Sequence, residues 1–79
     1  MTTVTLDLKG LSCPLPVLRT NKATKELIPG DILRIDVTDS NAPEDLRLFC
    51  ETTGHEFLEC VEDNGVFTVS IRKPPRLSA

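Results

Sequence analysis

The strongest candidate for a chemically reactive site lies in segment 10–18, which has the sequence Gly-Leu-Ser-Cys-Pro-Leu-Pro-Val-Leu. Cys13 stands in its middle, in a predicted loop between a strand and a helix. Pro14 and Pro16 are compatible with a helix start, because the first four N–H groups of a helix have no internal partner and proline lacks that donor. We predict Pro14 as the first helical residue and Pro16 as the third, with Cys13 at the cap. Their fixed φ angles stiffen the turn that presents the thiol, so both prolines are predicted to shape the site.

The predicted place of Cys13 at a helix N-terminus affects its ionisation. The positive end of the helix dipole favours the thiolate over the thiol, so the pKa of Cys13 is expected to lie below the ordinary value. The dipole supplies only ~0.3–1 kcal/mol at an exposed site. Lys9 and Arg19, which are close in the sequence, are expected to add to it. The free N–H groups of Leu15 and Val17 in the first turn are expected to support the sulfur.

The spacing of the other reactive groups disfavours several kinds of thiol chemistry. No second cysteine lies within four residues of Cys13, which excludes the C-x-x-C redox pair. Cys13, Cys50, Cys60 and His55 lack the paired spacing of zinc ligands, and a single histidine makes a protease-like pair weak. No metal site and no cofactor are therefore predicted. A nucleophilic thiol of this kind suits sulfur exchange, in which it attacks a sulfane sulfur, holds it as a persulfide and surrenders it to an acceptor.

Apolar periodicity predicts the elements that position this thiol. Strands are predicted over residues 3–8, 32–38, 55–62 and around 67–71, and helices over 14–28 and from about 43 to a stop at 54. The pair Asn64-Gly65 predicts a tight hairpin. The order β-α-β-α-β-β predicts an α/β (α+β) two-layer sandwich, in which a four-stranded mixed sheet carries two helices on one face. We expect one domain over 1–73 and a flexible tail over 74–79, with fraying from Lys73 onward.

Length and composition narrow the classes of function. The 79 residues are 39% hydrophobic and 27% charged, which favours one small folded domain. No apolar run approaches the ~18 residues of a membrane span, and no export signal is evident. Three cysteines without such a signal predict reduced thiols and a cytoplasmic protein. A net charge of −3 without Trp or Tyr disfavours direct nucleic-acid binding.

The ordered motifs resemble the TusA/SirA-like family of small sulfur-carrier proteins over about residues 6–73. The matching pieces, in the family's order and spacing, are Leu6-Asp7, Gly10-Leu11, Cys13-Pro14-Leu15-Pro16, Pro29-Gly30, Thr38-Asp39, Phe49-Cys50 and Gly54-His55. The resemblance implies the same sandwich, with Cys13 as the sulfur-accepting residue. It implies two kinds of partner, a cysteine desulfurase or rhodanese-type donor and a downstream acceptor protein. Family branches serve tRNA 2-thiouridine synthesis, molybdenum-cofactor assembly or sulfur oxidation. Leu15 stands where the tRNA branch often has an acidic residue, so the acceptor stays open.

The remaining candidates concern docking and two alternative functions. Leu15, Leu18, Arg19 and Lys22 lie close to the thiol in the sequence and are candidates for a partner-docking surface. Cys50 is expected in the core, Cys60 is expected to do no chemistry and its facing is left open, and His55 is expected to make local hydrogen bonds. One alternative function is a non-catalytic regulatory or protein-interaction module of the same fold. The other is direct RNA binding, which a local basic patch would require.

Overall fold

The computed structural model describes residues 2–75 and contains six elements in the predicted order β-α-β-α-β-β. They are β1 (Thr3–Leu8), α1 (Leu15–Thr24), β2 (Ile32–Val37), α2 (Ala42–Thr53), β3 (Glu56–Asp63) and β4 (Val66–Arg72). Neither helix is long and apolar enough to cross a bilayer within the described part of the chain. Of the predicted tail, residues 76–79 lie outside the described residues.

The sheet places the starts of both helices at the same end of the strands, where the carboxyl ends of β1 and β2 lie. Its strand order is β1-β2-β4-β3, with β1 parallel to β2 and the two other pairings antiparallel. The predicted α/β (α+β) two-layer sandwich with a mixed sheet is therefore confirmed. Because β1 and β2 are parallel, their carboxyl ends lie side by side, and the chain leaves β1 toward α1 and β2 toward α2. The loops after these two strands must then meet.

The core lies on one face of the sheet. Leu33, Ile35 and Val37 of β2 are paired with Ile71, Val69 and Phe67 of β4 and share their face, whereas Arg34 on the other face is exposed. The buried apolar residues are Leu8, Leu27, Leu33, Ile35, Val37, Ala42, Leu46, Phe49, Cys50, Val69 and Ile71. Since α2 contributes four members of this cluster and Val17 and Ala23 of α1 pack against it, both helices cover the same face.

The second helix begins and ends with residues that are typical of those positions. Asn41 is the N-cap residue, Pro43 lies in the first turn, and Glu44 and Asp45 place negative charge at the positive end of the dipole. Gly54 ends the helix in the left-handed conformation with φ 84°, which glycine adopts without a Cβ penalty.

The first helix is shorter than the predicted 14–28, because its C-terminal end is held by another element. After Thr24 the chain continues in turns, with Leu27 N–H donating to the Thr24 carbonyl at 3.2 Å. Lys73 Nζ donates to the carbonyl oxygens of Thr24 at 2.8 Å and Leu27 at 2.7 Å. The Lys73 N–H also donates to the Asp31 carbonyl at 2.9 Å. The prediction that fraying begins at Lys73 is therefore wrong, since this residue closes the domain.

The third strand has a register shift that explains its unclear pattern. The pairing with β4 slips between Phe57 and Glu59, so that Leu58 is an extra residue in the strand. Cys60 beyond the shift is paired with Val69 and is exposed at the sheet edge. The predicted hairpin is confirmed, with φ of 52° at Asn64 and 83° at Gly65, as a type I′ turn requires.

Candidate functional site

The Cys13 thiol is exposed in the loop between β1 and α1. Pro14, not Cys13, is the N-cap residue, so Leu15 is the first helical residue and Pro16 the second. The predicted cap position is thus wrong by one residue, and the Cys13–Pro14 peptide bond is cis. Pro16 still falls among the positions whose N–H groups need no helical partner, which is why two prolines fit this helix start.

Hydrogen bonds fix the loop that presents the thiol. The Leu15 N–H donates to the Ser12 carbonyl at 2.9 Å, so the prediction that this group is free is wrong. The Gly10 N–H donates to Thr38 Oγ1 at 2.9 Å, and the Cys13 N–H donates to Asp39 Oδ2 at 2.8 Å. The last two bonds join the loop after β1 to the loop after β2. The loop that carries Cys13 is therefore held by one hydrogen bond within itself and by two hydrogen bonds to the loop after β2.

The sulfur itself contacts a carboxylate from the second helix. Cys13 Sγ donates to Asp45 Oδ2 at 3.1 Å. This hydrogen bond raises the pKa of the Cys13 thiol, and desolvation and the negative charges of Asp45 and Asp39 act in the same direction. The prediction of a lowered pKa is therefore wrong, because an acceptor in direct contact outweighs the modest effect of the α1 dipole.

The two cations expected to help the thiol ionise are not among the charged groups that act on it. Lys9 Nζ pairs with Asp7 Oδ1 at 3.0 Å. Arg19 lines a separate hollow beside α1 together with Leu6, Lys22 and Glu26. The charged groups that act on Cys13 are instead Asp45 and Asp39. Asp39 itself has a lowered pKa, because its carboxylate accepts the backbone N–H of Asn41 and then that of Cys13.

The thiol lies at one end of an apolar groove between the two helices, which we call the thiol groove. Its volume is about 410 Å³, and it is lined by Cys13, Pro14, Val17, Asp45, Leu48, Phe49, Thr52 and Thr53. Leu48 is 51% exposed, although it lies on a helix that packs on the core. The thiol groove is therefore an apolar surface that adjoins an exposed thiol.

The comparisons with known proteins agree with the fold. The family model described as sulfurtransferase TusA matches residues 4–73. The chain belongs to the TusA family. This confirms the resemblance to TusA/SirA-like proteins.

Three proteins similar to this TusA-family chain align with it over at least 90% of their own length. A candidate sulfur carrier protein from Neisseria meningitidis serogroup B is 46% identical over 72 residues, which cover 91% of this chain and 97% of that protein. The sulfur carrier protein TusA of Allochromatium vinosum is 38% identical over 68 residues, covering 86% and 90%. The crystal structure of a SirA-like protein from Desulfitobacterium hafniense has a TM-score of 0.72 and 35% identity, covering 94% and 99%.

The four predicted docking residues of this TusA-family chain lie on one stripe of α1. Leu15 and Leu18 are 41% and 57% exposed, and Arg19 and Lys22 are also exposed. Positions 15, 18, 19 and 22 have the i, i+3, i+4, i+7 spacing of a single helix face. The two leucines lie at the end of the helix near Cys13, and the two cations lie farther along.

The other two thiols have different surroundings. Cys50 is only 3% exposed, and burial raises its pKa to about 11, against a smaller opposite effect of Arg47. The expectation that it belongs to the core is confirmed. Cys60 is exposed, and its pKa is raised mainly by desolvation. The three cysteines thus have one member at the thiol groove, one in the core and one at the sheet edge.

His55 makes the local contacts expected of it. Its Nδ1 lies 2.7 Å from Thr53 Oγ1, and its ring stacks on Phe49 with 5.4 Å between centroids. Burial lowers the pKa of His55, and the charge of Lys73 adds to this effect. His55 is not among the residues that line the thiol groove, although both of its contact residues are.

Sequence reasoning missed the two acidic residues of the site. It named Asp39 only in the Thr38-Asp39 pair of the family resemblance and gave Asp45 no role at the thiol. The signal that could have found them was topological, because the parallel pairing of β1 and β2 places the segments that follow these strands at the same end of the sheet. Asp39 and Asp45 both follow β2 and therefore lie beside the loop that follows β1.

Proposed function

We propose that this protein is a sulfur carrier that accepts sulfane sulfur as a persulfide on Cys13 and relays it to an acceptor protein. The observation that carries the proposal is the exposed Cys13 thiol at the end of the thiol groove. Membership of a family whose relatives are named sulfur carriers supports it. Among the free cysteines, Cys50 is buried and Cys60 lies away from the groove. Of the three cysteines, Cys13 is the one that is exposed and also lines the thiol groove.

The proposed transfer is an exchange between sulfur atoms without net oxidation. The Cys13 sulfur attacks the outer sulfur of a donor persulfide, the S–S bond of the donor breaks, and the donor thiol leaves as a new S–S bond forms on Cys13. Delivery repeats the exchange, with the acceptor as nucleophile and Cys13 as leaving group. Exchange of this kind needs little acid–base help, because a thiolate is a good leaving group. Pro14 and Pro16 shape the turn that presents the sulfur.

The proposed partners are a cysteine desulfurase or rhodanese-type donor and a downstream acceptor protein. Leu15, Leu18, Arg19 and Lys22 form a continuous exposed stripe that starts beside the thiol, which suits an apolar and acidic protein surface. The candidate pathways of the acceptor protein are tRNA 2-thiouridine synthesis, molybdenum-cofactor assembly and sulfur oxidation. The net charge of −3 and the carboxylates beside Cys13 favour a relay through proteins over direct RNA binding. We assign this function to a single domain over residues 1–73 in the reducing cytoplasm.

Intact-mass analysis after incubation with a cysteine desulfurase and cysteine tests the proposal. The wild-type protein is expected to gain the mass of one sulfur atom, and Cys13→Ser is expected to gain none. Cys60→Ser is the matched control, because it removes the other exposed thiol and is expected to load normally. Loading that persists in Cys13→Ser would show that the sulfur site is elsewhere. Full cellular activity of Cys13→Ser would favour the non-catalytic interaction module instead.

A further inference from the structure

The Cys13 thiol contacts a carboxylate, that of Asp45, which is an unusual partner for a nucleophilic sulfur. Asp45 Oδ2 accepts a hydrogen bond from Cys13 Sγ at 3.1 Å, and Asp39 Oδ2 accepts one from the Cys13 N–H at 2.8 Å. A thiol can donate to a carboxylate only while it carries its proton. Ionisation of Cys13 would remove the first bond and place a thiolate beside two carboxylates. The local geometry therefore favours the protonated form.

Among residues 2–75, no cation lies within ion-pair distance of the Asp45 carboxylate. Arg47 lies 3.9 Å from Glu44 Oε1 and stacks over the Phe57 ring at 4.2 Å. Lys9 pairs with Asp7. The positive end of α2 favours the negative charge of Asp45. The acid beside the sulfur is therefore available to a cation that comes from outside the chain.

We propose that Asp45 is a positioning residue that keeps the Cys13 thiol protonated in the free carrier, and that the docked sulfur donor presents a cationic side chain that pairs with Asp45 and releases the thiol. This inference rests on the proposed function, because it names the chemistry of the partner at the same site. The occupant of the thiol groove is thus a protein surface with a Lys or Arg next to its apolar contact. Charge complementarity with Asp45 and Asp39 is the argument for that choice.

The proton balance of the transfer is complete within the two proteins. The donor persulfide and the Cys13 thiol react to give the donor thiol and the Cys13 persulfide. The proton that leaves Cys13 is the one that the departing donor sulfur gains, so no oxidant, reductant or external base is required. Between encounters the exposed thiol stays in its less reactive form, which slows its oxidation and alkylation.

The first test is the pH profile of Cys13 alkylation by iodoacetamide in the full chain with Cys60→Ser as background. Removing a unit charge about 4 Å away in a water-like medium changes an ionisation equilibrium by a factor of about five. Asp45→Asn is therefore expected to react about fivefold faster at pH 7, with its profile moved to lower pH. Asp45→Glu is expected to restore slow alkylation. Glu44→Gln, one residue earlier on α2, is the matched control and is expected to behave as the background protein does.

An unchanged or slower rate in Asp45→Asn would overturn the assignment. Asp45→Ser provides a second neutral variant in case the asparagine variant does not fold, and circular dichroism reports the fold of each variant. A merely structural role of Asp45 would leave the pH profile of the folded variants in place. The alkylation test involves no sulfur donor, so it decides the role of Asp45 independently of the proposed function.

The second test compares two sulfur donors on the same variants. With glutathione persulfide, which has no docking surface, Asp45→Asn is expected to load faster than the background protein. With a cysteine desulfurase and cysteine, the same variant is expected to have a lower kcat/KM, because the donor's cation loses its counter-charge. Equal acceleration with both donors would overturn the proposed cationic contact. If neither donor loads Cys13 in the wild-type chain, the proposed function fails, whereas the alkylation result still stands.

Discussion

The ammonium group of Lys73, which follows β4, donates hydrogen bonds at the C-terminal end of α1. Removing this group measures how much the contact contributes to the free energy of unfolding. Nζ donates to the carbonyl oxygens of Thr24 at 2.8 Å and Leu27 at 2.7 Å. Carbonyl groups at a helix C-terminus have no intrahelical donor, and Lys73 adds a charged donor to the Leu27 N–H that already contacts the Thr24 carbonyl. Lys73→Met keeps the apolar stem of the side chain and removes both donors.

The expected loss follows from the strength of these two bonds and their exposure. A hydrogen bond from a charged donor contributes ~1.5–3 kcal/mol when it is well buried. Lys73 is half-buried, so water replaces much of what the variant loses. We expect Lys73→Met to lower the free energy of unfolding by about 1.5 kcal/mol for both bonds together. In a domain of this size that corresponds to a fall in Tm of about 6–12 °C.

Urea denaturation followed by far-ultraviolet circular dichroism measures this change, and a second lysine provides the control. Lys9 forms an exposed ion pair with Asp7 at 3.0 Å, so Lys9→Met is expected to change the stability by less than about 0.5 kcal/mol. The two variants remove the same ammonium group in different surroundings. If their unfolding free energies agree within error, the contact of Lys73 with α1 contributes nothing and the reasoning is refuted.

The other predictions concern the core, a buried thiol and an acid of the site. Leu46→Ala is expected to cost about 3 kcal/mol in urea denaturation, against less than about 0.5 kcal/mol for the exposed Leu48→Ala; equal costs would contradict the packing. Cys50, with a pKa of about 11, is expected to resist iodoacetamide in the native protein and to react in urea, and native alkylation as fast as that of the exposed thiols would be inconsistent with its burial. The backbone N–H groups of Asn41 and Cys13 lower the pKa of Asp39, so the ionised carboxylate stabilises the fold above pH 3.8, and this contribution is lost as the pH falls through the pKa of the folded state. The difference in unfolding free energy between the wild type and Asp39→Asn, measured by urea denaturation, is therefore expected to shrink in that pH range. A difference that stays constant with pH would contradict this prediction.

The parts of the fold that follow from local rules could be predicted from the sequence. The hairpin at Asn64-Gly65 and the stop of α2 at Gly54 depend on the conformations of a few adjacent residues. The end of α1 was misplaced because Lys73, which caps it, is 49 residues away from Thr24. The facing of β3 was unclear because the extra residue at Leu58 shifts the alternation halfway along the strand. In both cases the missing information was tertiary.

The ionisation of Cys13 shows how a correct local rule gives a wrong result at a site built from two segments. The dipole of α1 does favour a thiolate, but a helix end exerts only a fraction of a charge. Asp45 brings a full negative charge to within hydrogen-bonding distance, from a position 32 residues away. The parallel pairing of β1 and β2 is what joins the two, since it puts the start of α2 beside the loop that carries the sulfur. In a fold of this topology the reactivity of the first loop is therefore set by the acidic or basic character of the second, and the pKa of such a thiol has to be predicted from both.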